Sequence, residues 1–94
     1  DLTKRDTLNQ SSLLVKFLIK SFKNDFNLLQ RTHRSAGFAV LKSLDIPSVL
    51  LEMGYLSNKN DSKLLISEDY QRKLSDKIVK AVINYFNWKE KNDI

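Results

Sequence analysis

Between Pro47 and Gly54 the chain carries Ser48-Val49-Leu50-Leu51, an apolar run without polar alternation, and a carboxylate, Glu52, follows it at once. Such a run reads as a short strand covered on both faces, as in a parallel sheet. Pro47 suits its start because proline holds Ile46 extended, and Gly54 ends it. A second strand-length run, Phe38-Ala39-Val40-Leu41, is bounded by Gly37 and Lys42-Ser43. These strand signals alternate with helix signals, which predicts the α/β class: part of a layered α/β/α domain, helices flanking a mostly parallel sheet, rather than a bundle. The strands are expected at about 38–42 and 47–53.

The helices follow from apolar spacing. Leu14, Leu18 and Phe22 recur at i, i+4, i+8, with Val15, Ile19 and Phe26 beside them and Lys16, Lys20 and Lys23 opposite. This gives one amphipathic helix, about 2–26 if Asp1 to Leu8 extends it, or a later start if Thr7 or Asn9 caps it. Gln30 to Gly37 reads as a polar, basic loop. Asn58 or Asn60 can cap a short helix, about 60–66. Ser67 then caps a longer one, about 68–88, with Glu68 and Asp69 in the first turn where the helix dipole favours them. Its buried stripe is expected at Leu74, Ile78, Val82, Tyr85 and Phe86, and Lys89 to Ile94 should fray.

Ninety-four residues allow one small domain and exclude two. With 41% hydrophobic and 29% charged residues the chain is expected to fold, at least with a partner. No apolar run reaches the roughly 18 to 20 residues that span a bilayer. Asp1 to Gln10 has no signal-peptide pattern, so an export signal would lie upstream of residue 1. The absence of cysteine removes disulfides, thiolate metal sites and cysteine nucleophiles. A net charge of +5 is compatible with a polyanionic partner, but the lysines are scattered among Asn, Ser and Asp as on solvated helix faces, so nucleic acid is not expected.

Glu52 is the residue with most to say about chemistry. A carboxylate directly after an apolar strand is costly to desolvate, and functional groups gather at the carboxyl ends of strands in open α/β sheets. The structural alternatives are an ion pair with Arg34 or a lysine, or simple exposure at the strand end. Ser11, Ser12 and Ser35 have no histidine in a plausible arrangement for a serine triad. Phe17, Phe22, Phe26, Tyr85 and Trp88 fall at helical spacing and read as core rather than as a platform for sugar rings.

The run Pro47-Ser48-Val49-Leu50-Leu51-Glu52-Met53-Gly54-Tyr55-Leu56-Ser57-Asn58 resembles the late motif P-x-V-L-V-E-x-G-F-x-S-N of zinc-dependent N-acetylmuramoyl-L-alanine amidases. Upstream, Arg34-Ser35-Ala36-Gly37-Phe38-Ala39-Val40-Leu41 is similar to that family's R-x-A-G-F-x-V-L stretch. Downstream, Asp61, Leu64, Leu65, Tyr70 and Gln71 fit its D-x-x-L-L and Y-Q elements. The likeness covers nearly the whole chain and is greatest to the cell-separation amidases of Gram-negative bacteria.

The resemblance implies that residues 1–94 are the C-terminal part of an amidase catalytic domain. That domain would cleave the amide between N-acetylmuramic acid and L-alanine in peptidoglycan by zinc-activated water, with Glu52 as general base and then acid. The family's zinc ligands, a His, a Glu and a second His, would lie upstream of residue 1, so no metal ligand is expected in this chain. His33, the sole histidine, falls at a variable position and reads as a loop residue. Arg34 is a candidate to touch an anionic substrate group, to pair with Glu52 or to orient its loop. Ser57 and Asn58 are candidates to hydrogen-bond the peptide stem or the surroundings of the metal, and equally serve as loop and cap residues.

The location implied is the periplasm or cell envelope, and the resemblance admits an activator protein as a partner. By itself the 94-residue chain is expected to be inactive and to self-associate, because two strands leave unpaired edges. The alternative is a non-catalytic amidase remnant or a basic binding module. A regulatory protein whose basic helix binds a partner helix is a third, weaker reading.

Overall fold

A computed structural model describes residues 2–23 and 38–92. In order along the chain they form α1 (Leu2–Phe22), β1 (Phe38–Val40), β2 (Val49–Leu51), α2 (Lys59–Leu65) and α3 (Glu68–Asn92). The α/β class expected from the sequence is what folds. α1 runs through Thr7 and Asn9 without a break, so neither caps a new helix. Both caps expected downstream are present. Asn58 accepts the Asp61 N–H at 3.0 Å, and Ser67 Oγ accepts the Tyr70 N–H at 3.3 Å. α3 continues past Trp88 to Asn92.

β1 and β2 pair antiparallel, with Phe38 opposite Leu51 and Val40 opposite Val49. The parallel arrangement suggested by the apolar run does not join these two strands. Residues 41–48 are too few for the crossover that a parallel pair needs. Nor is β2 covered on both faces. Phe38 and Leu51 pack inward, whereas Ala39 and Leu50 face away and are exposed, Leu50 by 46%. Among the described residues the helices cover one face of the sheet, giving two of the three layers expected.

The core gathers where all five elements meet. Phe22, Tyr70 and Leu74 are buried together, with Phe38, Leu51, Leu64, Leu65 and Ile78 packed around them. Burying an aromatic or leucine side chain contributes about 1.5–3 kcal/mol, so this cluster is the main apolar anchor of the sheet. The Phe22 and Phe38 rings meet edge-to-face at 5.5 Å, fixing the end of α1 to β1.

α1 and α3 lie antiparallel. Ser21 Oγ donates to the Lys77 carbonyl at 2.8 Å, and Phe17 meets Tyr85 edge-to-face at 6.1 Å nearer the far end. Leu18, Ala81 and Tyr85 are buried along this seam. Two expectations for α3 need correction: Phe86 is 59% exposed, and Ala81, fully buried, takes the central place. At 100° per residue Ala81 and Tyr85 fall about 20° to either side of Leu74 on the inner face, while Phe86 sits about 120° round the helix. Of the other ring-bearing residues, Phe22 and Tyr85 are core as expected, Trp88 is 44% exposed, and Phe26 lies outside the described residues. No helix among the described residues is long and apolar enough to cross a membrane.

Candidate functional site

The segment after β2 carries the candidate residues. Glu52 is the first residue beyond the strand and is exposed, so the desolvation cost expected of it is not incurred. The Tyr55 hydroxyl donates to Glu52 Oε2 at 3.4 Å, a long contact between two exposed groups. Between them Met53 is held through its carbonyl, which accepts the Tyr70 hydroxyl at 3.4 Å. Gly54 has φ +144°, a conformation that L side chains rarely adopt and that glycine takes freely.

Beneath this turn lies Asp61, in the first turn of α2 and only 5% exposed. Its Oδ2 accepts the Tyr55 N–H at 2.9 Å. A Cβ on Gly54 would stand 3.3 Å from both Asp61 Cβ and Oδ2. The turn closes with the Asn58 N–H on the Tyr55 carbonyl at 3.1 Å, after which Asn58 caps α2. Strand end, turn and short helix are therefore one hydrogen-bonded unit, with Glu52 at its rim.

Of the other candidates, Ser57 is exposed in the turn. Asn58 has its carboxamide oxygen committed to the cap. Arg34, His33 and Ser35 lie outside the described residues, and with them the suggested pairing of Arg34 with Glu52. Among the described residues no group of three or more His, Cys, Asp or Glu could hold a metal ion. A cavity of about 260 Å³ opens between α1 and α3, lined by Asp6, Gln10, Trp88 and Asn92 among others. It lies toward the end of α3 remote from Tyr70, and so apart from Glu52.

Two residues of the unit had no role assigned from the sequence. The motif alone gives Asp61 no role, although its place three residues after an Asn cap, in a helix's first turn, is a recognisable signal for a backbone-binding acid. Tyr55 stands where the amidase pattern has Phe, and that added hydroxyl is the atom that reaches Glu52.

The family model for N-acetylmuramoyl-L-alanine amidase matches residues 2–84, and the chain belongs to that family. It is 36% identical over 88 residues to the N-acetylmuramoyl-L-alanine amidase AmiA of Salmonella typhimurium, covering 94% of this chain and 30% of that protein. AmiA of Escherichia coli K12 is 35% identical over the same shares. AmiC of Neisseria meningitidis serogroup B is 36% identical over 93% of this chain and 21% of its own length. The chain thus spans less than a third of these curated relatives. No solved structure matches it.

Proposed function

We propose that this chain is the C-terminal part of a peptidoglycan hydrolase that cleaves the amide between N-acetylmuramic acid and L-alanine, with Glu52 as general base and then general acid. The observation that carries this reading is the position of Glu52: an accessible carboxylate at the carboxyl end of β2, on a turn tied down by Asp61 and Tyr70. Support for the reaction class comes from relatives named for it that align along 94% of the chain.

Amide hydrolysis needs one group to accept a proton as water adds to the carbonyl and to return it to the leaving nitrogen as the C–N bond breaks. A single carboxylate oxygen of Glu52 performs both transfers, ending as it began. Zinc, which the family resemblance implies, does not fit the described residues, which offer no donor set. On this proposal its ligands lie upstream of residue 1. The protein would act in the periplasm or cell envelope, in wall remodelling or cell separation, where an activator protein is a candidate partner.

The test is E52Q in the full-length protein, assayed on purified sacculi alongside metal content. Gln keeps the size and one acceptor oxygen but cannot carry the proton. Turnover should fall about 10²–10⁴-fold with fold and zinc unchanged. Turnover near that of the unaltered protein would move the chemistry off Glu52 and favour a non-catalytic or differently built site. Loss of zinc would make Glu52 a ligand instead.

A further inference from the structure

We propose that Asp61 is a positioning residue for Glu52, acting through the backbone of the turn that carries it. The inference rests on the role for Glu52 given above. A carboxylate that is only 5% exposed is costly unless hydrogen bonds compensate it, and Asp61 offsets part of that cost by accepting the Tyr55 N–H at 2.9 Å. What it holds is informative. Tyr55 is the residue whose hydroxyl returns to Glu52 Oε2, so Asp61 fixes the backbone of a side chain that, among the described residues, stands against that carboxylate.

Three constraints leave the turn little freedom. Asp61 fills the space beside Gly54, where even a methyl group would stand at 3.3 Å. Tyr70 holds the Met53 carbonyl from the core side, and Asn58 ties α2 back to the same turn. Asp61 is thereby anchored in a helix that packs on the core through Leu64 and Leu65. The core sets α2, α2 sets Asp61, Asp61 sets the backbone of Tyr55, and the turn sets Glu52. A group that works by proton transfer over a hydrogen-bond distance is sensitive to displacements of about 1 Å, which can cost on the order of 10²-fold in rate. A displaced proton carrier slows the chemical step of bound substrate, so the loss is expected in kcat.

The experiment compares E52Q, D61A, D61N and G54A in the full-length protein, measuring kcat and KM on purified sacculi together with zinc content and Tm. D61A should lower kcat by about 10- to 100-fold with KM and zinc content little changed. D61N, which retains an oxygen for the Tyr55 N–H, should recover most of that loss. G54A presses on Asp61 from the other side and should reproduce the kcat-specific defect; it decides the matter if D61A does not fold. Unaltered kcat in folded D61A, or in G54A where D61A fails, overturns the proposal. So does a loss in D61A that D61N does not relieve. An active E52Q removes the role of Glu52 and this proposal with it, whereas an inactive E52Q beside a fully active D61A removes the positioning role alone.

Discussion

Ser11 Oγ accepts the Ser48 backbone N–H at 2.8 Å while donating its own proton to the Thr7 carbonyl at 3.0 Å. A fully buried side chain in mid-helix thus serves the strand β2 at its start. One turn earlier, Thr7 Oγ1 donates to the Leu44 carbonyl at 3.1 Å. α1 is therefore attached to the β1–β2 connection by two hydroxyls as well as by apolar packing. Polar residues placed on the inner face of an amphipathic helix have a reason here: they meet backbone groups of the connection in part-buried hydrogen bonds.

Replacing Ser11 by Ala should therefore destabilise the full-length protein by about 1–3 kcal/mol, the cost of leaving a buried donor without its acceptor. The check is a urea titration paired with turnover per folded molecule. Turnover should be unchanged, since Ser11 is a structural ligand of the backbone. A catalytic defect without a stability defect would contradict this.

Asn58→Ala removes the cap of a helix only seven residues long, and a loss of about 1 kcal/mol is expected, visible as a lower Tm. KM should stay where it was if capping is its whole role. Ser57→Ala is the companion measurement. Ser57 is exposed and its loss should cost less than about 0.5 kcal/mol. A raised KM in that variant would identify Ser57 as the one of the pair that meets the peptide stem.

Tyr85 is 3% exposed, and its hydroxyl has no hydrogen-bond partner among the described residues. Phe at this position keeps the ring against Phe17 and Phe86 and deletes an uncompensated polar atom. Stability should be unchanged or rise by up to about 1 kcal/mol. Thermal melts of the full-length Y85F protein would show it, and a drop of several degrees would mean that the hydroxyl finds a partner elsewhere in the protein.

Much of this architecture is legible in the residues. Local signals go far toward the caps: Ser67 is readable from the acid-bearing first turn that follows it, whereas Asn58 and Asn60 both fit the start of α2 and only the structure chooses Asn58. Glu52 stood out because a charge abruptly ends an apolar run. Strand direction was not legible in that way, because an apolar run carries no arrow; the shortness of residues 41–48 held the information. Phe86 adjoins the apolar stripe in sequence, yet its angle on α3 takes it outside, and Ala81 is inside, where a small residue lets two helices approach closely. The link from Asp61 to Tyr55 spans a turn whose Gly54 has a positive φ, so it appears only once the turn is built.

The antiparallel seam between α1 and α3 also bears on how the protein is made. Phe22 and Leu18 leave the ribosome well before Tyr70, Leu74 and Tyr85, the residues that cover them. At about 5–20 residues per second the apolar stripe of α1 waits on the order of seconds for its cover, an interval in which holding chaperones or nonspecific clustering compete for it. Distant contacts of this kind also slow folding after release, because the loop between them must close before any reward is gained. A nascent chain arrested before α3 would present Glu52 already synthesised, on a turn whose Tyr70 tether had not yet been made.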